Sequence, residues 1–297
     1  MLKRTLFFGS PGKLSVKNKL LFYEAADTYA EPRSFAVEDI GFIVIESRQI
    51  VLTSYVIGTL AEHNVAVVFC DGSHLPSVQM VPYSGNALTQ KIAEFQFSAS
   101  EAVKGRLWKQ TVQAKLRNQA KCLKRLGCEY EKIAALCKSV KNGDPGNVEA
   151  VGARFYFQQL GTEVDFIRER FGAAPNNALN YGYAILRAAT ARAIVGSGLS
   201  CVAGIHHCNQ YNAFALADDV MEPYRPFVDE TVFGKIEFFD VPELNRAQKA
   251  ELLQILVRDV KIRNECRPLS NALSYTTASL VRCLAREEAA IAYPEFC

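Results

Sequence analysis

Apolar and polar positions along the chain change period near residue 90. From Leu2 to about Gln90, short β-branched and aromatic runs recur at Thr5–Phe8, Leu20–Tyr23, Gly41–Ile45 and Val65–Cys70. Turn formers separate them at Gly9-Ser-Pro-Gly12, Glu31-Pro32 and Asp71-Gly72. Such runs, bounded by turn signals, predict strands. The stretch Thr53 to Asn64, with apolar Tyr55, Val56, Leu60 and Ala61, predicts one short helix within the sheet region.

After Leu88 the period becomes helical. Ser98 and Ser100 are candidate caps of a long helix to about Leu126, apolar at Val103, Leu107, Val112, Leu116 and Leu123 and stopped by Gly127. Asn142-Gly-Asp-Pro-Gly146 reads as a loop, with Asn147 as cap of a helix containing Val148, Val151, Phe155 and Leu160. Pro175-Asn-Asn177 opens a third helix, carrying Leu179, Tyr183, Leu186 and Ala193 and ending at Gly196-Ser-Gly198. Two more are expected around Phe214 to Phe227 and Ala247 to Val257, and a terminal one from Ser274 to Ile291. The fold class is therefore α+β: a small β-rich domain over 1–90, then a larger, mostly α-helical domain over 91–297.

Composition narrows the class further. With 297 residues, 49% hydrophobic and 22% charged, the chain is long and apolar enough for a substantial core. Gly, Ser and Pro follow Met1–Gly9 too soon for a signal-like core, and no apolar run approaches the roughly 20 residues a membrane span needs. The expectation is a soluble, cytoplasmic protein with no membrane contact. Nine cysteines without a C-x-x-C pair read as reduced thiols, mostly small core residues. Cys208 alone, beside a histidine pair, has a conceivable role as a metal ligand.

A net charge of +3 does not by itself imply a polyanionic partner, but its distribution does more. The segment from Glu101 to Leu126 carries Lys104, Arg106, Lys109, Lys115, Arg117, Lys121, Lys124 and Arg125 against the single acid Glu101. Such a helix can neutralise several phosphates; the plainer alternative is a solvated face. Trp108 on the same helix reads as core.

Only four histidines are present, and His63 and His74 have no carboxylate cluster near them in sequence. His206 and His207 are adjacent and precede Asn209, Asn212, Asp218, Asp219 and Glu222. If Ala213 to Tyr224 is helical, Asp218 and Asp219 lie four and three residues before Glu222, placing carboxylates on one face. Like charges so placed repel unless a cation binds. Oxygen ligands with one imidazole suit Mg2+ or Mn2+ better than zinc. The alternative is a solvated acidic helix with a core histidine. Pro223 ends or kinks the helix just after Glu222. Glu149, in the first turn of its helix, is explained equally well by the helix dipole.

Taken together, four segments resemble the CRISPR-associated integrase family. They are Asn147-Val-Glu-Ala-Val-Gly-Ala-Arg-Phe-Tyr-Phe157, Asn177-Ala-Leu-Asn-Tyr-Gly-Tyr-Ala-Ile-Leu186, Gly204-Ile-His-His207 and Leu216-Ala-Asp-Asp-Val-Met-Glu-Pro-Tyr-Arg-Pro226. Arg4 to Ser15 looks like the short members that accompany type II systems. The resemblance implies a metal-dependent endonuclease/integrase that inserts captured foreign DNA into a CRISPR array by transesterification. It implies Glu149, His207 and Glu222 as catalytic metal ligands, the Gly-x-x-His register selecting His207 over His206. Asp219, His206 and Arg225 are then supporting groups, and Lys104, Arg106, Lys109, Lys115, Arg117 and Lys121 contact DNA. The implied cofactor is Mg2+ or Mn2+. The implied partners are double-stranded DNA, a second copy joined through the β domains, and a dimer of a small companion Cas protein in a heterohexamer. Two alternatives remain: a metal-dependent repair nuclease for branched DNA, and a non-catalytic DNA-binding subunit.

Overall fold

The computed structural model describes residues 3–26, 31–82, 85–162, 166–169, 172–239 and 241–297; Leu2, where the strand pattern opens, lies outside them. The chain divides into two compact units, Met1–Gly85 and Asn86–Cys297.

In the first unit, β1 (Arg4–Phe8), β2 (Gly12–Lys17), β3 (Leu20–Ala25), β4 (Arg33–Ala36), β5 (Ile40–Ile45) and β6 (Ile50–Leu52) precede α1 (Ser54–Glu62), β7 (Ala66–Cys70) and β8 (Pro76–Met80). They form two four-stranded sheets, ordered β1-β5-β7-β8 and β4-β3-β2-β6. β5 pairs parallel with β1 and β7 and is buried at every residue, so its apolar run is continuous rather than alternating. The parallel return from β5 to β7 uses α1, where the Thr53 hydroxyl accepts from the Val56 N–H. Leu14, Leu21, Ile43, Val56 and Leu60 belong to one core. Four strands, β2, β4, β6 and β8, carry no long apolar run and escape the sequence reading. β2 turns into β3 through Asn18-Lys19, both at positive φ, a two-residue hairpin without glycine.

The second unit is helical and centres on α3. Its helices are α2 (Thr89–Phe97), α3 (Glu101–Arg125), α4 (Glu131–Leu136), α5 (Val148–Leu160), α6 (Asn176–Gly196), α7 (Ala215–Met221), α8 (Arg225–Phe233), α9 (Arg246–Gln254) and α10 (Leu269–Leu284). The Ser100 hydroxyl accepts from the Val103 N–H at the start of α3, and Gly127 at φ +76 follows its end. Ser98 instead follows α2, a helix absent from the sequence reading.

Three expectations change. Asn147 sits at the start of α5 in the left-handed region and gives no side-chain cap. Asp144 caps instead, its two oxygens accepting from the Val148 and Glu149 N–H groups at 3.0 and 2.9 Å. The expected helix from Phe214 to Phe227 breaks into α7, a 3-10 turn over Glu222–Tyr224, and α8, because Pro223 and Pro226 lack the N–H an uninterrupted ladder needs. The terminal helix stops at Leu284 rather than Ile291, with Arg286 at φ +63 just beyond. A small sheet of β9 (Asp259–Ile262), β10 (Glu265–Pro268) and β11 (Glu295–Phe296) completes this unit. Among the described residues no helix is long and apolar enough to cross a membrane, and all nine cysteines are free.

Candidate metal centre

α3 supplies the floor of the site. One stripe of this helix carries Trp108, Lys115 and Asn118, all buried, at spacings that return to the same face. Asn118 Nδ2 donates to the Pro223 carbonyl at 2.7 Å and to the Pro294 carbonyl at 2.9 Å, which fixes the 3-10 turn holding Glu222.

Two acids from different elements meet over Lys115. Glu149, in the first turn of α5, accepts from Lys115 Nζ through Oε1, and Glu222 accepts from the same Nζ through Oε2 at 2.5 Å. The other oxygen of Glu222 accepts from Arg225 Nε at 2.8 Å, and the Arg225 guanidinium stands 4.6 Å over the Tyr183 ring. Burial pushes the Glu222 carboxyl up, but the Arg225 and Lys115 charges and hydrogen bonds outweigh it and hold the pKa at about 2. Arg225 thus orients the carboxylate. Because Asp144 serves as cap, Glu149 is free to turn its carboxylate toward α3.

The histidine loop is built around Asp219, which is fully buried. Its Oδ2 accepts from the Ile205 and His206 N–H groups at 2.6 and 2.9 Å. Its Oδ1 accepts from the His207 N–H at 3.2 Å and from His207 Nδ1 at 2.5 Å. Four donors use up the lone pairs of this carboxylate, so Asp219 positions the loop rather than adding a ligand. With Nδ1–H committed to Asp219, a neutral His207 ring presents the lone pair of Nε2. The hydrogen bond to Asp219 raises the His207 pKa against the opposing effect of burial, and the charges of Asp219, Glu222 and Asp218 add to the rise. Gly204 is required by this geometry: a Cβ there would collide with the His207 carbonyl and lie 2.8 Å from Asp219 Oδ2.

His206 takes a different role. Its ring stacks on Trp108 with centroids 4.2 Å apart and planes at 4°, whereas His207 meets Trp108 edge-on at 5.9 Å. The orienting carboxylate therefore goes to His207 alone. Asp218, expected on one face with Glu222, points away: Arg187 and Asn212 both donate to its Oδ2, at 2.9 and 2.7 Å. Asp218 and Asp219, neighbours within α7, thus face different partners, and Glu222 lies beyond them in the 3-10 turn. A cavity of about 530 Å3 opens beside His207, lined also by Lys104, Asn209 and Tyr211, with Cys208 on its wall.

The basic helix needs the largest correction. Lys115 is only 6% exposed and is committed to the two acids, so it faces the interior rather than a phosphate. Lys121 and Arg117 pair with Glu295, Arg125 with Glu230 and Lys104 with Glu101. Apart from Glu101, these acids come from distant segments and offset a charge run that sequence shows as uncompensated. Arg106 and Lys109 make no ion pair among the described residues. No sequence spacing links Lys115 to residues 149 and 222, and the unusual frequency of lysine around it conceals a buried one.

Whether these groups suit a divalent cation can be judged from their chemistry. Among the described residues no three His, Cys, Asp or Glu side chains stand in ligating geometry. Glu149 and Glu222 nevertheless share one positive charge already, and a tautomer-fixed imidazole lies under the influence of Glu222. Two carboxylates and a neutral imidazole form a donor set that fits Mg2+ or Mn2+.

A sequence profile described as CRISPR associated protein Cas1 matches residues 6–238. The CRISPR-associated endonuclease Cas1 of Neisseria meningitidis serogroup C is 36% identical over 269 residues, 89% of this chain and 86% of that protein. A casposase bound to an integration product superposes with a TM-score of 0.79 at 21% identity, covering 97% of this chain and 92% of that one. A Cas6-RT-Cas1–Cas2 complex superposes with a TM-score of 0.71 at 17% identity, covering 97% of this chain and 35% of that one. The two structures share the fold of this chain, and the profile and the Neisseria relative place it: the chain belongs to the Cas1 family of CRISPR-associated proteins.

Proposed function

We propose that this chain is a metal-dependent DNA endonuclease/integrase that inserts captured DNA into a CRISPR array. The observation that carries this reading is the convergence of Glu149 and Glu222, from separate helices, on one cationic atom, beside a His207 oriented by Asp219. A relative named as an endonuclease and a fold shared with a casposase on its integration product support it.

The reaction is a transesterification. The 3′-oxygen of an incoming DNA end bonds to a phosphorus at the repeat boundary, the bond to the leaving 3′-oxygen breaks, and the hydroxyl proton passes to that leaving oxygen through solvent. Water in place of the 3′-OH gives strand cutting. A bound Mg2+ or Mn2+ supplies charge neutralisation at the phosphate and stabilises the attacking or leaving oxygen. Glu149, Glu222 and the Nε2 of His207 hold that ion; Asp219 fixes the imidazole and Arg225 fixes Glu222. Lys104, Asn209 and Tyr211 line the adjacent cavity, where DNA backbone is the fitting occupant. No protein nucleophile is needed. The working assembly is a cytoplasmic homodimer joined through the strand-rich unit, two such dimers flanking a dimer of a small companion Cas protein. A solved complex containing Cas1 and Cas2 supports such a partner.

The test joins a short duplex to a supercoiled, repeat-bearing plasmid in the presence of Mn2+ or Mg2+ and the companion protein. Glu149→Gln, His207→Ala and Glu222→Gln should each abolish joining while the proteins remain folded. Intact joining by all three variants would make this a non-catalytic DNA-binding subunit. Cutting of branched DNA without companion or repeat would make it a repair nuclease.

A further inference from the structure

Lys115 is the least expected occupant of the site. It extends from the middle of α3, is 6% exposed, and among the described residues its ammonium has no partner other than Glu149 and Glu222. A buried ammonium persists only when paired, and these two acids provide the pairing. They are also the acids taken above as metal ligands. An ammonium and a divalent ion therefore compete for the same lone pairs, Oε1 of Glu149 and Oε2 of Glu222. Two cations in so small a buried space repel strongly.

The second cation at Glu222 behaves differently. Arg225 binds the opposite oxygen through Nε at 2.8 Å and is pinned over Tyr183, so it can stay while Oε2 changes partner. Lys115 is a compact charge on a flexible four-carbon stem, with no ring to pin it. Glu149 leaves it a way out, because its side chain is 25% exposed and forms the solvent edge of the cluster.

We infer that Lys115 is an internal counter-cation that holds Glu149 and Glu222 together in the metal-free protein and is expelled when a divalent ion binds. The inference rests on the metal reading proposed above. Exchange of one charge for two keeps both acids compensated in both states. It also sets the metal affinity below that of two bare carboxylates, so Lys115 tunes how readily the site is loaded. Once expelled past Glu149, the ammonium becomes an exposed cation at the edge of the site.

The test measures Mn2+ binding to the full chain by electron paramagnetic resonance and calorimetry, comparing wild type with Lys115→Met and Glu222→Gln. Folded Lys115→Met should bind Mn2+ about tenfold more tightly than wild type, and Mn2+ should raise its melting temperature more. If Glu222→Gln abolishes Mn2+ binding but folded Lys115→Met binds no tighter than wild type, the competition is overturned and the metal site stands. If neither wild type nor Lys115→Met binds Mn2+, the metal reading falls and the competition with it. Should Lys115→Met not fold, acetylation of lysines in the wild-type chain, read by mass spectrometry, decides. Mn2+ should accelerate modification of Lys115 relative to Lys109; unchanged or slower modification with Mn2+ bound overturns the inference.

Discussion

The Nδ1 of His207 lies 2.5 Å from Oδ1 of Asp219, and the same carboxylate accepts the backbone N–H groups of Ile205, His206 and His207. One buried side chain thus sets both the path of the loop and the tautomer of the ring. Asp219→Asn keeps the volume but offers one acceptor oxygen where four donors converge. We expect a loss of about 1–3 kcal/mol of stability and a fall of about 10–100-fold in strand joining. Denaturant unfolding and the plasmid assay measure the two. Asp218→Asn, whose side chain hydrogen-bonds Arg187 and Asn212 and not the histidine loop, is the control and should retain joining within a few-fold.

Gly204→Ala places a methyl group against the His207 carbonyl and Asp219. The backbone has to move, because neither neighbour is the free end of a flexible side chain. A stability loss of about 1–3 kcal/mol is expected, together with loss of joining. Wild-type joining by Gly204→Ala would show that the loop tolerates displacement and that its tight wrap around Asp219 is dispensable.

Asp229 gives a pH signature. The Tyr183 hydroxyl donates to its Oδ1 and the Tyr156 hydroxyl to its Oδ2 at 2.9 Å. Burial pushes its carboxyl up to about 6, against the pull of those hydroxyls and of Arg225 and Arg168. The folded value exceeds the unfolded one of about 3.9, so the folded state favours the protonated form. Its contribution to stability is complete below about pH 4 and is lost as pH rises through about 6. Melting temperatures of Asp229→Asn against pH should lack that decline, narrowing or reversing the gap to wild type above pH 6. Parallel profiles for the two proteins would contradict a raised carboxyl at this position.

Glu222 carries the opposite sign. Its folded pKa of about 2 lies below the unfolded value of about 4.3. The contribution is therefore complete above about pH 4.3 and is lost as pH falls toward 2. Arg225→Lys forfeits the Nε hydrogen bond and the stacking on Tyr183, so the depression should shrink. The acid unfolding midpoint, followed by circular dichroism, should rise by about half a pH unit or more. An unchanged midpoint would mean that Lys115 alone sustains Glu222.

Much of this arrangement can be read from local pattern and some of it cannot. Ser100 and Gly127 bound α3 because caps act on their own helix, and the continuous apolar run of β5 needs no partner to be recognised. Pro223 announces the break at Glu222 for the same local reason. Three of the missed strands are short: β9 to β11 span four, four and two residues and exist only because they pair. The pairing of Lys115 with Glu149 and Glu222 bridges 34 and 107 residues, a separation at which spacing carries no information. Likewise Asp218 and Asp219 look equivalent in sequence. What separates them is Arg187 on one side and the loop amides on the other.

Trp108, Lys115 and Asn118 bring the histidine loop, the two acids and the Pro223 turn to a single surface of α3. The site consequently has no cooperative unit of its own. Unzipping the middle of α3 releases the stacked imidazole, the shared ammonium and the proline carbonyl in one event. The amides of residues 108–118 should therefore exchange with solvent at the rate at which the whole centre opens. A substitution that frays this helix far from any ligand disables the chemistry without touching it.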